Sequence, residues 1–459
     1  MASPLEVRLA PGATLYADSE MSPKKVWSTA HRIAFRFTFS FLVLSVFPFP
    51  FNSFGGSFYE IGYYEKMWFA VASWIGTHLL HAPATPPSHA WMLLEDTVAG
   101  YVELVCFLIL AASATLVWTF LDQKRLNYRG LHDWLRIYVR YALGFTMLGY
   151  GMDKVFALQF NLSQPGPDRL AEPLGNYSPF ALMWTFMGYS KPYTIFGGMG
   201  EVVGGVLLLF RRTTTLGAII VIGVMANVLA LDFSYGVGLR MLVSLYLLMA
   251  IFILLPDVKR LMNVLVFNKP VTAANLASPI PDHWLKSSRP ALHLGIVVFA
   301  LYFFAGPGLK GPRERGKSPK SPFYGLYQVE QFTRNGQPVP QSDSNWRRVI
   351  FERKGDMTVL TMDDSMHYYG ADVDPASSVV TISGEYPEIR SNSHPDISGE
   401  FEPVSKDTLT YSWPDADHLL LRGDLAGEAV VIDMRKVDVS KFTLVGRGFH
   451  WIENGPFYR

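Results

Sequence analysis

Cysteine is almost absent: Cys106 is the only one in 459 residues. A single thiol rules out an internal disulfide, a paired redox motif and a cysteine zinc site, and leaves any redox chemistry to a borrowed cofactor. Charge is scarce as well, at 17% of residues against 49% hydrophobic, and the two signs nearly cancel to a net +1. Such a chain lacks the basic excess of a nucleic-acid binder and is too apolar for an ordinary soluble enzyme. No phosphate-binding loop, nucleophile-and-base constellation, metal motif or haem motif stands out, so the sequence gives no support to an autonomous enzyme. No cleavable leader is expected, and the first apolar run reads as a retained span. The first long apolar run starts near Ala34, behind a polar lead with Lys24, Lys25 and Arg32, which is too late and too long for a signal peptide.

What the chain has instead is long apolar runs. Between Tyr193 and Leu255 only Glu201, Arg211-Arg212 and the stretch from Asp232 to Arg240 interrupt the hydrophobic sequence. About 20 apolar residues cross the hydrocarbon core, and about seven spans are expected, near 34–52, 97–121, 136–158, 193–210, 215–232, 238–255 and 290–306. The aromatic stretch 63–80 reads as a helix along the membrane interface. Lys and Arg accumulate on the cytoplasmic side. The basic loops (Lys24 to Arg32, Lys124 to Arg136, Arg211-Arg212 and Lys259 to Arg289) alternate to one side, so residues 1–33 form a cytoplasmic leader and the C-terminal region lies outside. One segment dissents: the basic linker at 307–321 holds lysines and arginines on the expected outer side, and an even span count with 63–80 crossing would reverse it.

From about residue 322 to 459 the pattern changes to short strands, at 325–333, 346–353, 357–363, 378–383, 408–413, 418–423 and 428–436. Asn335-Gly336, Lys354-Gly355, Pro414-Asp415 and Gly423-Asp424 read as turns between them. This predicts a small antiparallel barrel or sandwich. Asp363, Asp364, His367, Asp372 and Asp374 form an acidic cluster that reads as solvated hairpin ends and lacks calcium-loop spacing. The aromatic tail from Gly448 to Arg459 is expected to dock rather than hang in water.

Three segments carry a family resemblance: RYALGFTMLGYGMDKV (140–155), GGMGEVVGGVLLLFRRTTTLGAI (197–219), and the span holding Asn227 that ends in LDFSY (231–235). In this order they resemble the DoxX-like integral membrane family over about the middle third of the chain. The resemblance implies a compact helical bundle, and the family includes suspected subunits of quinone-linked oxidoreductases. The β-domain is similar in pattern to lipocalin-like or calycin-like domains, through DHLLLRGDLAGEAVVIDMRK (417–436).

Glu201 is the sharpest residue. Gly197, Gly204 and Gly205 share its helical face, and Gly200-x-x-x-Gly204 permits close helix approach, so the carboxylate is expected to point into the bundle toward a cation. Counted from the outer surface it lies roughly 12 Å deep. Lys154 reaches a similar depth, whereas Arg140 lies roughly 21 Å nearer the cytoplasm, so Lys154 is the expected partner. Asp153, Asn227, Asp232 and Arg240, with Tyr150 and Tyr235 nearby, fall toward the same outer half. Three readings stay open: charges that lock helices together, a pocket for a quinone or lipid headgroup, or a proton or ion relay. His78 and His81 could share one helical face but lie at an interface beside Pro83, and His293 stands alone in its span, so the case for haem is weak. The chain thus reads as a bacterial inner-membrane protein in contact with the lipid bilayer, accessory or ligand-binding, whose outer domain takes an apolar ligand or a partner. A quinone-interacting oxidoreductase subunit and a structural component of a larger membrane complex are the alternatives.

Overall fold

A computed structural model describes residues 26–50, 63–81, 94–160, 165–272, 289–315, 320–340, 345–386 and 406–447. The expected docking of the aromatic tail falls outside them. A helical N-terminal half is followed by an eight-stranded antiparallel β-barrel. The helices are α1 (Thr29–Val46), α2 (Tyr63–Leu79), α3 (Val98–Leu121), α4 (Arg129–Val155), α5 (Pro167–Ala171), α6 (Pro179–Tyr189), α7 (Lys191–Leu209), α8 (Thr214–Tyr235), α9 (Arg240–Leu254), α10 (Val258–Leu265) and α11 (Arg289–Arg315). Among the described residues, four stretches are long and apolar enough to cross a membrane: α3, α7, α8 and Arg240–Leu265, which joins α9 to α10. Helices also occupy most of the runs expected at 34–52, 136–158 and 290–306, with α1 ending at Val46 and α4 at Val155, and the last run contains a shorter apolar stretch, Leu294–Gly306. The helix α11 continues to Arg315, so much of the expected 307–321 linker is helix rather than coil.

Two compact units divide at Ala142 and Leu143, inside α4. In the first, α3 packs against both α1 and α2. Arg36, buried in α1, is spent entirely on structure. Its guanidinium donates to the Tyr128 hydroxyl, to Thr119 Oγ1 at 2.7 Å and to the Asp122 carbonyl at 2.8 Å. Phe35, Trp27 and Trp118 pack their rings around Tyr128.

The second unit is organised by glycine. A Cβ added at Gly151 would meet the Gly198 carbonyl at 2.8 Å, and one at Gly205 would meet the Gly144 carbonyl at 2.8 Å. These contacts set α4 and α7 antiparallel with backbones touching, at a spacing of two turns. The other face of α7 meets α8, where Gly204 lies under Val221 and Gly200 under Val224. Gly197, expected among the packing glycines, has open space where a side chain would go. Because α4 and α7 are antiparallel neighbours, α5 and α6 stay at one end of the bundle. There Met183 and Met187 of α6 pack with Phe160 and with Val237 of the α8–α9 turn. On the far side of α4, Phe304 of α11 stacks edge-on to Phe145.

The barrel strands are β1 (Lys320–Arg334), β3 (Trp346–Arg353), β4 (Gly355–Thr361), β5 (Met366–Asp374), β6 (Val379–Tyr386), β7 (Lys406–Ser412), β8 (His418–Leu425) and β9 (Glu428–Lys436), with a two-residue β2 (Gln337–Pro338) beside the end of β1. Each pairs with the next, and β1 closes the cylinder by pairing β3 through one part and β9 through another. Inward residues such as Phe323, Tyr327, Phe351, Val359 and Leu421 form one buried cluster. Eight strands enclose a space that side chains can fill, and Tyr327 satisfies its buried hydroxyl on the Phe323 carbonyl at 2.9 Å.

Two strand expectations need correction. The acidic stretch is a strand, β5, in which exposed Asp372 and Asp374 alternate with buried Ala371 and Val373; its acidic outer face disguises the period of two. Among the turn-end residues, Asp363 accepts from Thr361 and Ser365, and these bonds hold its carboxyl below the usual range. Gly423 is not a turn but lies inside β8 where a Cβ would meet the Thr408 carbonyl at 2.7 Å. The β8–β9 turn is Ala426-Gly427, both with positive φ.

Outward residues of the barrel are buried too, among them Leu326 at 0% and Ile350 at 1% exposure. Ala171 of α5 covers them, with Val439 and Phe442 packed alongside, and Asn176 Nδ2 donates to the Asp364 carbonyl at 2.9 Å. The connection between α4 and α6 is thus fastened to the barrel wall.

Gly198→Ala should destabilise the chain in detergent by about 1–3 kcal/mol, because the new methyl has only backbone and the Lys154 stem to displace. Gly197→Ala should be neutral or stabilising by up to about 1 kcal/mol. Equal thermal-unfolding shifts for the two variants would refute the glycine register.

Candidate functional site

Lys154 stands in the last turn of α4 and Glu201 in the middle of α7. Gly198, one turn before Glu201, has no side chain, and the Lys154 stem lies over that gap, with a Cβ at Gly198 falling 2.6 Å from the Lys154 Cβ. The ammonium therefore reaches down to the carboxylate, donating to Oε1 at 2.8 Å and Oε2 at 2.9 Å. Lys154 is 8% exposed and Glu201 1%. The ammonium also stands 5.8 Å from the centre of the Tyr150 ring. The Tyr150 hydroxyl hydrogen-bonds Tyr246 of α9, so a polar chain runs from α7 through α4 to α9.

The remaining expected members divide. Asp232 is buried in the last turn of α8, just before Gly236, whose left-handed conformation ends the helix. Arg240 begins α9, with its guanidinium 5.8 Å from the Phe233 ring centre, and Tyr235 lies against the α6 cluster. Asp153 and Asn227 are exposed instead. Depth along a helix places them level with the cluster, but rotation decides where they face. Asp153 is turned about 100° from Lys154, and Asn227 is two residues beyond the buried Met225. Arg140 is buried, with its guanidinium 4.9 Å from the Tyr141 ring centre.

Three charged residues outside the expected set are also buried, Arg36, Glu95 and Glu103. Arg36 could have been found as a cation inside the apolar run RIAFRFTFSFLV. Glu103 lies inside the 97–121 span, is buried, and accepts the Leu94 N–H at 3.0 Å through Oε2, while no described residue hydrogen-bonds Oε1. Among the described residues, no group of three or more His, Cys, Asp or Glu side chains could hold a metal ion. His78 Nδ1 lies 2.9 Å from the Trp74 carbonyl within its own helix, and the His293 side chain is outside the described residues.

The arrangement at Lys154 and Glu201 has consequences for stability. Glu201→Ala should cost about 3–5 kcal/mol by leaving a buried ammonium unpaired, and Lys154→Met added to it should recover part of that loss. A double-mutant cycle with purely additive terms would show that the pair contributes no coupling.

The chain is similar to the "Uncharacterized protein YwoB" of Bacillus subtilis (strain 168), with 32% identity over 125 residues, covering 27% of this chain and 78% of that protein. No family model matches the chain, and no solved structure matches it. At that identity and coverage, the chain belongs to the same family as this Bacillus subtilis protein.

Proposed function

We propose that this chain is an accessory multi-pass membrane protein that serves as one component of a larger membrane assembly, with a partner helix joining it at the outward face of α8. Asn227 carries this reading. It is exposed, as are Gly223 and Ala230 on the same side of the helix, and it lies 13 residues into a candidate span of 22 residues, roughly 20 Å along it. An amide facing hydrocarbon lacks partners that a neighbouring helix supplies, and small residues beside it allow that helix to approach closely. The filled barrel interior favours a partner on the barrel's outer surface over an apolar ligand inside it. The DoxX-like resemblance agrees with a subunit role, and a quinone-linked oxidoreductase would be one such assembly.

The topology in this proposal is about seven spans in a bacterial inner membrane, with the N-terminus cytoplasmic and the barrel outside. Its support is the fastening of α5 to the barrel. The α4–α6 connection and the barrel must share one side of the membrane, and the basic Arg211-Arg212 turn at the other end of α7 marks the opposite, cytoplasmic side.

In a Cys106→Ser background, cysteines at Leu174 and Lys354 should react with a membrane-impermeant maleimide from the outside, and one at Arg212 only from the inside. Labelling of Lys354 and Arg212 from the same side would reject this topology. The assembly reading predicts that the gently extracted chain runs at a mass above its 51.5 kDa and that Asn227→Leu lowers that mass while the purified chain keeps its thermal stability. A monomer with one equivalent of retained quinone or lipid would replace the assembly reading with the ligand-binding one.

A further inference from the structure

Strand β3 alternates its side chains across the barrel wall. Val349 and Phe351 point inward, Ile350 points outward beneath Ala171, and Glu352 follows on that outer face. The short helix α5 brings Asp168 to it, three residues before Ala171. A Cβ placed at Gly166 would meet Asp168 Oδ1 at 2.7 Å and Glu352 Oε1 at 2.9 Å, so both oxygens crowd the space that this glycine leaves. Among the described residues no donor reaches the buried Asp168 Oδ1, and the Glu352 carboxyl stands close enough to Asp168 for a hydrogen bond between the two side chains. Ionised carboxylates only accept, so a bond between two of them requires one proton.

We propose that Asp168 and Glu352 form a proton-binding carboxyl pair that latches α5, and with it the α4–α6 connection, to the barrel wall, so that the latch tightens as the surroundings acidify.

The charges around the pair leave the proton as its link. From α5, Arg169 gives Nη1 to Glu172 Oε2 at 2.6 Å and stands 3.8 Å from Asp168 Oδ2 through Nε. From β3, Arg353 favours ionised Glu352, and from β1 the Tyr324 hydroxyl feels the negative charge of both carboxyls. Burial first, and then the Asp168 charge, outweigh the two arginines and push the Glu352 carboxyl up to about 7. Released from the barrel, Glu352 would return to the ordinary range near 4.3. The latched state therefore holds the extra proton. Its advantage is fully present below the ordinary carboxylate pKa, falls about tenfold per pH unit as pH rises toward about 7, and is flat above that.

Hydrogen exchange on the full chain in lipid nanodiscs reads the latch directly, through the amides of Leu170 and Ala171. After correction for intrinsic exchange, their protection should fall about tenfold per pH unit between about pH 5 and pH 7. Protection of the Val380 amide deep in the barrel should not change, which reports that the fold is intact. Glu352→Gln supplies a permanent amide donor to Asp168 and should make α5 protection independent of pH. Infrared spectra should show a protonated-carboxyl band that titrates near pH 7 in the parent chain and is lost in both Glu352→Gln and Asp168→Asn. Flat protection in the parent chain, the same slope in Glu352→Gln, or a band unaffected by either substitution would each overturn the proposal. Recovery of protection at high pH on adding calcium would also overturn it, by making the pair a cation site.

Discussion

A carboxylate buried inside an apolar helix bundle has no water to solvate it, and Glu201 answers that constraint by holding Lys154 through both oxygens. Much of the second unit follows from making that contact possible. The ammonium can reach Glu201 because its stem lies over Gly198, and the stem fits there because Gly151 and Gly198 bring the two backbones within contact. Replace either glycine by a larger residue and the helices separate by the thickness of a methyl group, which moves the charges apart where separation is most costly. The ion pair and the glycine contact are one structural unit.

That unit also fixes what surrounds it. Antiparallel α4 and α7 force the residues between them to stay at one end, where α6 packs over the α8–α9 turn and α5 reaches the barrel. The barrel is therefore not a free appendage on a linker. Its outer wall at Leu326 and Ile350 is as buried as its interior, and the residues that bury it come from a loop of the helical half as well as from the segment after β9, at Val439 and Phe442.

The sequence made legible what one-dimensional counting can measure. Hydropathy located the long helices but not α5, α6 or α10, depth along α4 and α7 singled out Lys154 over Arg140 for Glu201, and alternation found seven of the eight barrel strands. Rotation about a helix axis is harder to read, because an error of one residue turns a side chain by about 100°; Asp153 and Asn227 shared the right depth and face away. Strand β5 was hidden because its outward positions are aspartates, which read as a turn cluster when their partners are only alanine and valine. Gly423 looked like a turn and is instead a site of close backbone approach. The joining of Asp168 to Glu352 spans 184 residues of sequence, and neither residue has a local signal; only the closed barrel and the end of α4 bring them together.

The two buried carboxylate sites illustrate how position selects the solution. In the bundle, Glu201 lies one turn below a glycine gap that a lysine stem can use, so a cation meets it and the contact is an ion pair. At the barrel wall the nearby guanidinium of Arg169 is already committed to Glu172, so the second carboxyl of Glu352 is the group that fills the space over Gly166, and a proton must stand where the lysine stands in the bundle. An ion pair of fixed charges makes a permanent joint. A shared proton makes a joint whose strength depends on the surroundings, and on the proposed outside face of the membrane those surroundings are the ones least buffered by the cell. The chain thus sets its rigid contact among the spans and its adjustable one where the helical half meets the barrel.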